Sequence, residues 1–333
     1  MTTLSVVGMD VEPGRRATQI VSVSIAGQSV SVPVIAINGA NDGPRVAVTG
    51  GIHGAEYVGI EAARRVGMSI DPAEVRGSLV VVPISNTTAY HARSIYTSGL
   101  DGENINRTFP GETAGSPSHV LAHWLFENII APSQFYIDMH GGDMIEALVP
   151  FVVVQHYSDP TVQETANAMA RASGIGRIIH SNVQGSTTGA AAAAGIPAVL
   201  AEIGGQGIWT DAEVEAHMES TLRVLRHVGA LPGYVNPEMR SYHHVSALSG
   251  DVSPAQNQRV YNTFAWMRAE VSGLFHPAVS VGDFVEQGQP VGAIVDYFGT
   301  ALQELHAVES GEVGFLVTSL AMNAGDPILA ICA

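Results

Sequence analysis

Cysteine is nearly absent from this chain: Cys332 is the single thiol in 333 residues. One thiol forms no internal disulfide and supplies no thiolate metal cluster, so a disulfide-stapled scaffold and a cysteine zinc site are both excluded. Basic side chains are scarce as well, 15 against 31 acidic ones, for a formal net charge of -16. Nucleic acid and anionic membrane surfaces each need a positive footprint, so neither is expected as a partner. Long apolar runs are also missing. The most apolar region, Gly189 to Ala201, is interrupted by Gly195 and Pro197 and is too short to span a bilayer. Residues Met1 to Asp10 hold no basic segment followed by an apolar core, so no secretory signal is expected and a cytoplasmic location fits. What is present, 46% hydrophobic and 14% charged residues, suits well-filled cores in one large unit and a smaller one.

The most informative stretch runs from Val46 to Ile60, V-A-V-T-G-G-I-H-G-A-E-Y-V-G-I. A short Val-rich run breaks at Gly50-Gly51, delivers His53 and Glu56, and passes into a helical pattern from Tyr57 to Val66. A His and a Glu just past the carboxyl end of a strand face the crevice where open α/β sheets bind ligands. An imidazole and a carboxylate are two of the three protein ligands that zinc hydrolases commonly use. By spacing alone the pair is an ordinary surface turn. Gly50, Gly51 and Gly54 around His53 favour a site, because they permit unusual backbone angles and close approach.

Taken in order, Thr18 to Ile37 alternates as a β-hairpin broken at Gly27-Gln28, and Leu79 to Ile84 is a further buried strand. Strands alternating with helices predict an α/β unit with a mostly parallel sheet. Asn86 to Pro117 lacks periodicity, and a long irregular loop inside a compact unit is usually functional. It contains D-G-E-N-I-N-R-T-F-P-G, where Asn106 and Arg107 can clamp a carboxylate or can be a loop asparagine beside a surface arginine. Ser116 to Ile130 reads as an amphipathic helix. Gln134 to Asp143, Q-F-Y-I-D-M-H-G-G-D, repeats the strand, histidine, glycine pattern and makes His140 the third metal ligand. Asp138 either orients an imidazole from behind or caps a turn.

Glu146 to Val154 is a strand, Asp159 to Ser173 a helix, Arg177 to Ser181 a short strand, and Gly189 to Gly195 helical. In the strand I-P-A-V-L-A-E-I-G, Ile196 to Gly204, the carboxylate of Glu202 is costly among apolar neighbours unless it has a partner or a role. A catalytic base beside the metal gives it both, and a solvent-facing strand end is the alternative. Thr210 to Val228 is a helix with a Thr210/Glu213 capping box. Histidines such as His91, His156 and His180 are expected to be structural or solvent-facing. After Pro237 only short β-like pieces remain, which predicts a catalytic domain over 1–237 and a small all-β domain over 238–333. Gly273 to Ile294 resembles the lipoyl/biotinyl barrel-sandwich fold, yet D-Y-F-G-T-A at Asp296 to Ala301 has no lysine, so a swinging-arm carrier is disfavoured.

Four motifs in sequence, G-G-I-H-G-A-E, N-I-N-R-T-F-P-G, I-D-M-H-G-G-D and A-E-I-G-G-Q-G, resemble the succinylglutamate desuccinylase/aspartoacylase family, relatives of the zinc carboxypeptidases. The resemblance covers essentially the whole chain. It implies a zinc carboxypeptidase-like mixed α/β sheet flanked by helices, one Zn2+ on His53, Glu56 and His140, substrate carboxylate at Asn106 and Arg107, and Glu202 as base and then acid. It also implies a deacylase that hydrolyses small N-acyl amino acids, such as the N-acetyl-diaminobutyrate of ectoine breakdown. Members similar to these usually carry a carbonyl-polarising arginine about ten residues before the Asn-Arg pair, where this chain has Tyr96-Thr97-Ser98. Either Arg93 reaches in or Tyr96 donates its hydroxyl. The rivals are a peptide-trimming carboxypeptidase and a zinc-binding protein whose catalysis has lapsed. The β domain is expected to cap the crevice or to build an interface, a homo-oligomer included.

Overall fold

The computed structural model describes residues 2–233, 241–244, 253–255 and 258–333. The first alternating run forms β1 (Arg15–Ile25) and β2 (Gln28–Asn38), paired antiparallel along their whole length. Ile25 pairs with Gln28, so the turn is Ala26-Gly27 and not Gly27-Gln28; both take positive φ, 49° and 77°. Two left-handed residues match the twist of the strands, which lets a two-residue loop connect them. Next come β3 (Asn41–Gly50), α1 (Tyr57–Ser69) and β4 (Arg76–Val82). The expected irregular stretch holds one short helix, α2 (Thr87–Ala92), whose Asn86 cap accepts from the Ala89 N–H, and a 3-10 turn at Ile105–Arg107. Both are too short to leave a periodic signal.

Helix α3 (Pro117–Leu125) continues through a wider turn to Ile130 and leads to β5 (Phe135–His140). The strand expected from Glu146 to Val154 is two strands, β6 (Glu146–Leu148) and β7 (Phe151–Gln155). Pro150 lies between them and has no N–H to offer a ladder. Helix α4 (Pro160–Ser173), β8 (Arg177–Ser181), α5 (Thr187–Ala193), β9 (Ala198–Glu202) and α6 (Asp211–His227) complete the alternation. The Thr210/Glu213 capping box at the start of α6 is formed. The boundary expected at 237/238 lies outside the described residues. Beyond it are β10 (Arg259–Tyr261), β11 (Phe264–Arg268), β12 (Gly273–Pro277), β13 (Phe284–Val285), β14 (Pro290–Val295), β15 (Ala301–His306), β16 (Gly311–Val317), β17 (Ala321–Met322) and β18 (Pro327–Cys332).

A nine-stranded mixed sheet, order β10-β8-β7-β9-β5-β3-β4-β2-β1, forms the centre. Neighbours from β10 to β7 and from β9 to β4 run parallel; β7 against β9 and the β4-β2-β1 end run antiparallel. Successive strand residues face opposite sides, so Val46 and Val48 pack under α1, α4 and α6 while Ala47 packs toward α3 and α5. Two antiparallel sheets, β11-β18-β16-β13 and β15-β14-β12-β17, enclose a third core around Phe275, Ile294 and Leu329. Among the described residues no helix is long and apolar enough to cross a membrane.

The two parts exchange strands. β10 completes the edge of the large sheet beside β8, and β6 adds to the C-terminal sheet beside β16. A buried ion pair lies at this joint: the Arg177 Nε to Glu312 Oε2 distance is 2.8 Å, both residues are 2% exposed, and the Tyr261 hydroxyl donates to Oε2 at 2.7 Å. Burial alone would raise the Glu312 carboxyl, but hydrogen bonds from Arg177 and Tyr261 outweigh it and hold the pKa below its ordinary value. Such a carboxylate stabilises the fold above the unfolded glutamate pKa of about 4.3, and that contribution is lost as pH falls through the lower folded value. Glu312→Gln is expected to cost about 3 to 5 kcal/mol, since it removes the charge facing a buried guanidinium. Urea unfolding at pH 7 and pH 4 checks this: the variant is less stable at pH 7 and less sensitive to acid, and equal midpoints at both pH values would refute the role.

Candidate metal centre

Three segments must approach closely for the first motif to form, and the glycines make that possible. A side chain on Gly54 would sit 2.1 Å from the Tyr90 nitrogen, and one on Gly59 would sit 2.5 Å from the Met139 carbonyl oxygen. Gly51 has φ 62° at the end of β3. The turn they allow puts His53 and Glu56 against the end of β5, where His140 is the last residue. One ligand atom from each of His53, Glu56 and His140 lies within 4.8 Å of the others, and all three residues are buried. His53 Nδ1 is 2.7 Å from Glu56 Oε1, and His140 Nδ1 is 2.8 Å from Oε2.

The outer nitrogens settle the hydrogen positions. Asn104 Oδ1 already accepts from the Asn106 N–H at 2.9 Å and lies 3.0 Å from His53 Nε2, so that nitrogen must carry a hydrogen. His140 Nε2 faces Asp138 Oδ2 at 3.0 Å, and Asp138 also accepts from the hydroxyls of Thr49 and Thr187. In their neutral forms both imidazoles therefore turn Nδ1 lone pairs toward a carboxylate that is itself an acceptor. Something positive belongs there, either a second proton on each ring or a cation. Burial by itself would lower the His53 and His140 pKa values, and the surrounding carboxylates outweigh it and raise both. Two imidazoliums with ring centroids 5.1 Å apart repel one another, whereas one divalent cation would satisfy both lone pairs and the carboxylate. The donor set fits a metal, and Asp138 and Asn104 are the outer partners that metal-bound histidines need. Asp138 lies buried within β5, so the turn-cap alternative is excluded.

Glu202 ends β9 directly opposite His140 in the parallel ladder, so both side chains leave the same face at the same level. Its Oε2 is buried with no hydrogen-bond partner among the described residues, and burial followed by the Glu56 charge pushes its pKa well up. Asn106 is buried and accepts from the Thr187 N–H at 2.9 Å; Arg107 beside it is exposed and donates to the Asn106 carbonyl at 2.6 Å. Both line the cavity that holds His53, His140 and Glu202, about 760 Å³ in volume.

Of the two substitutes for the arginine, only Tyr96 reaches this cavity. Arg93 caps α2 in the left-handed conformation, is exposed, and forms no part of the wall. Tyr96 is held at φ 57° by its N–H to Asp143 Oδ2, 2.8 Å, and its hydroxyl donates to Glu146 Oε1. Burial pushes the Glu146 carboxyl up to about 7 despite that bond. Asn104, Asp143 and Glu146 line or support the cavity and were not singled out from the sequence, and His180, expected to be structural or solvent-facing, lines it as well. Asn104 and Glu146 had readable signals, an amide two places before Asn106 and a carboxylate opening an apolar strand. Asp143 and His180 had none. The C-terminal part supplies Phe264, Trp266 and Arg268 to the cavity wall, so it borders the crevice.

Residues 42–228 match the succinylglutamate desuccinylase/aspartoacylase catalytic domain, more than half of the chain. The chain belongs to this family. Among family relatives, the N-alpha-acetyl-L-2,4-diaminobutyric acid deacetylase of Halomonas elongata is 28% identical over 310 residues, covering 91% of this chain and 86% of that protein. A succinylglutamate desuccinylase/aspartoacylase structure from Rhodobacter sphaeroides superposes with a TM-score of 0.82 at 26% identity, covering 95% and 94% of the two chains. The product-bound ectoine utilization protein EutE (DoeB) of Ruegeria pomeroyi shares the fold, with a TM-score of 0.83 at 22% identity over 95% and 94%. The family and the deacetylase relative make this a deacylating hydrolase.

If Asp138 orients His140, Asp138→Asn should weaken retention of a divalent metal about 10- to 100-fold. Competition against a chromogenic chelator measures it, and unchanged retention would remove Asp138 from the centre.

Proposed function

We propose that this protein is a zinc-dependent amidohydrolase that removes the acyl group from small N-acyl amino acids. The observation that carries the proposal is the pairing of a three-donor cluster with the partnerless carboxylate oxygen of Glu202 in one cavity. His53, Glu56 and His140 would hold the ion. When bound, zinc supplies Lewis acidity that polarises an acyl carbonyl and makes water a nucleophile near neutral pH.

Glu202 takes a proton from the attacking water and returns it to the departing amine. Asn106 and Arg107 grip the substrate's α-carboxylate, the guanidinium through paired donors, and so fix the scissile amide in register. Tyr96 takes the place of the arginine. Its hydroxyl hydrogen turns from Glu146 to a carbonyl oxygen by rotation about one C–O bond, while Glu146 keeps the Asp143 N–H on its other oxygen at 2.7 Å.

The same reading includes a catalytic unit over 1–237 and a β unit over 238–333. Its support is the family match ending at 228 and the antiparallel sheets beginning at β11. The shortage of cysteine fits a cytoplasmic enzyme. Peptides serve as the control: their turnover in place of N-acyl amino acids would substitute a carboxypeptidase for the deacylase.

Glu202→Gln is expected to keep its metal and lose about 10²- to 10⁴-fold in kcat. Metal analysis and steady-state kinetics on N-acetyl amino acids test it together, and normal turnover by the metal-loaded variant would end the assignment. Tyr96→Phe is expected to lower kcat by about 10²- to 10³-fold, the loss typical of one oxyanion donor, whereas Arg93→Ala stays within about twofold. The reverse ranking would transfer the carbonyl contact to Arg93.

A further inference from the structure

The cavity is longer than a small acylated amino acid requires. Its floor runs across the sheet from His140 on β5, through Glu202 on β9 and Phe151 on β7, to β8. Leu200, Val153 and Ile179 stand side by side in register on β9, β7 and β8 and form an apolar row beyond the polar centre. From β5 to β8 there are three strand spacings, roughly 14 Å. An acetyl methyl group lies only about 3.8 Å from the amino-acid Cα across a trans amide. Most of that row is out of reach of such a substrate.

Strand β11 faces the far part of the crevice. Its alternation sends Met267 into the C-terminal core and sends Phe264, Trp266 and Arg268 to the cavity. Trp266 is held by two rings, with Phe264 at 5.1 Å and Phe315 at 4.9 Å between centroids, and Phe264 in turn meets Phe151 at 5.4 Å. Trp266 nevertheless remains 46% exposed. A large aromatic side chain fixed on two sides and still open, lining the cavity of a reactive centre, is built to take a flat apolar group. Glu146, Glu202, Asn106 and Arg107 line the amide end and Gln155, His180 and Arg268 edge the far part, so the rings and the apolar row between these polar groups are left for a different portion of the substrate.

We infer that the Trp266 and Phe264 wall, over the Leu200-Val153-Ile179 floor, is a second compartment for an aromatic or similarly bulky apolar group attached to the scissile amide. The preferred substrates are then ring-bearing N-acyl amino acids and not only N-acetyl compounds of small polar amino acids. This rests on the deacylase reading. The ring can enter from the acyl side or from the amino-acid side, and the chemistry read by the wall is the same.

The experiment measures kcat/KM of the metal-loaded enzyme on N-acetyl-L-alanine, N-benzoyl-L-alanine and N-acetyl-L-phenylalanine. The first substrate has no ring, the second carries it on the acyl group and the third on the amine. At least one ring-bearing substrate is expected to exceed N-acetyl-L-alanine about tenfold, and whichever does identifies the side that enters. Trp266→Ala is expected to lower that ratio about tenfold, and Trp266→Phe to keep most of it. A wild-type ratio near one, with N-acetyl-L-alanine turned over, overturns the compartment and leaves the deacylase standing. A ratio that survives Trp266→Ala also overturns it. No turnover of any of the three overturns both readings.

Discussion

Glu56 is shared between two buried imidazoles, and the site is arranged to make that sharing tolerable. Both of its oxygens face ring nitrogens at under 3 Å, and the opposite nitrogens of the same rings are committed to Asn104 and Asp138. The commitments close into a ring, because Asp138 accepts from the Thr187 hydroxyl, the Thr187 N–H donates to Asn106, and the Asn106 N–H donates to Asn104. The His53, Glu56 and His140 cluster and the Asn106 amide are thus parts of one network. In a low-dielectric interior such a network is rigid when every member is satisfied, and a missing member is felt by all.

The electrostatics follow from the same crowding. Glu56, Asp138, Glu146 and Glu202 gather in one buried region, and the guanidiniums that line the cavity are those of Arg107 and Arg268. All 15 basic residues of the chain are arginines; it contains no lysine. Burial lowers the Arg107 pKa from its ordinary value, yet a guanidinium keeps its proton at physiological pH, so Arg107 remains a fixed cation in the cavity wall.

Much of this was readable in advance, and for identifiable reasons. His53, Glu56, His140 and Glu202 each sit just beyond or at the end of an apolar strand, where a polar residue is conspicuous and the sheet dictates where it points. The α/β alternation and the capped helices were equally plain, since periodicity and caps are local. Residues that act by long-range placement were not visible. Asp143 holds Tyr96 across 47 positions, and His180 reaches the cavity only because of how β8 lies in the sheet. Neither departs from its surroundings in a way that a linear string can reveal. That Tyr96 and not Arg93 lines the cavity also needed three dimensions, because α2 ends with Arg93 exposed at its left-handed cap while a similar backbone angle at Tyr96 accompanies a ring in the cavity wall.

The exchange of strands between the two parts has a bearing on how the molecule is made. Ribosomal synthesis delivers β9 and α6 well before β10, and β6 waits still longer for β16. Until then the nascent chain carries an uncovered sheet edge at β8 and a solitary three-residue strand at β6, both poor in local contacts. At about 5 to 20 residues per second the interval between α6 and β16 lasts several seconds, long compared with the collapse of a chain this size. The large sheet is therefore left with an open flank until downstream sequence seals it, so its β8 edge depends on residues made only after α6.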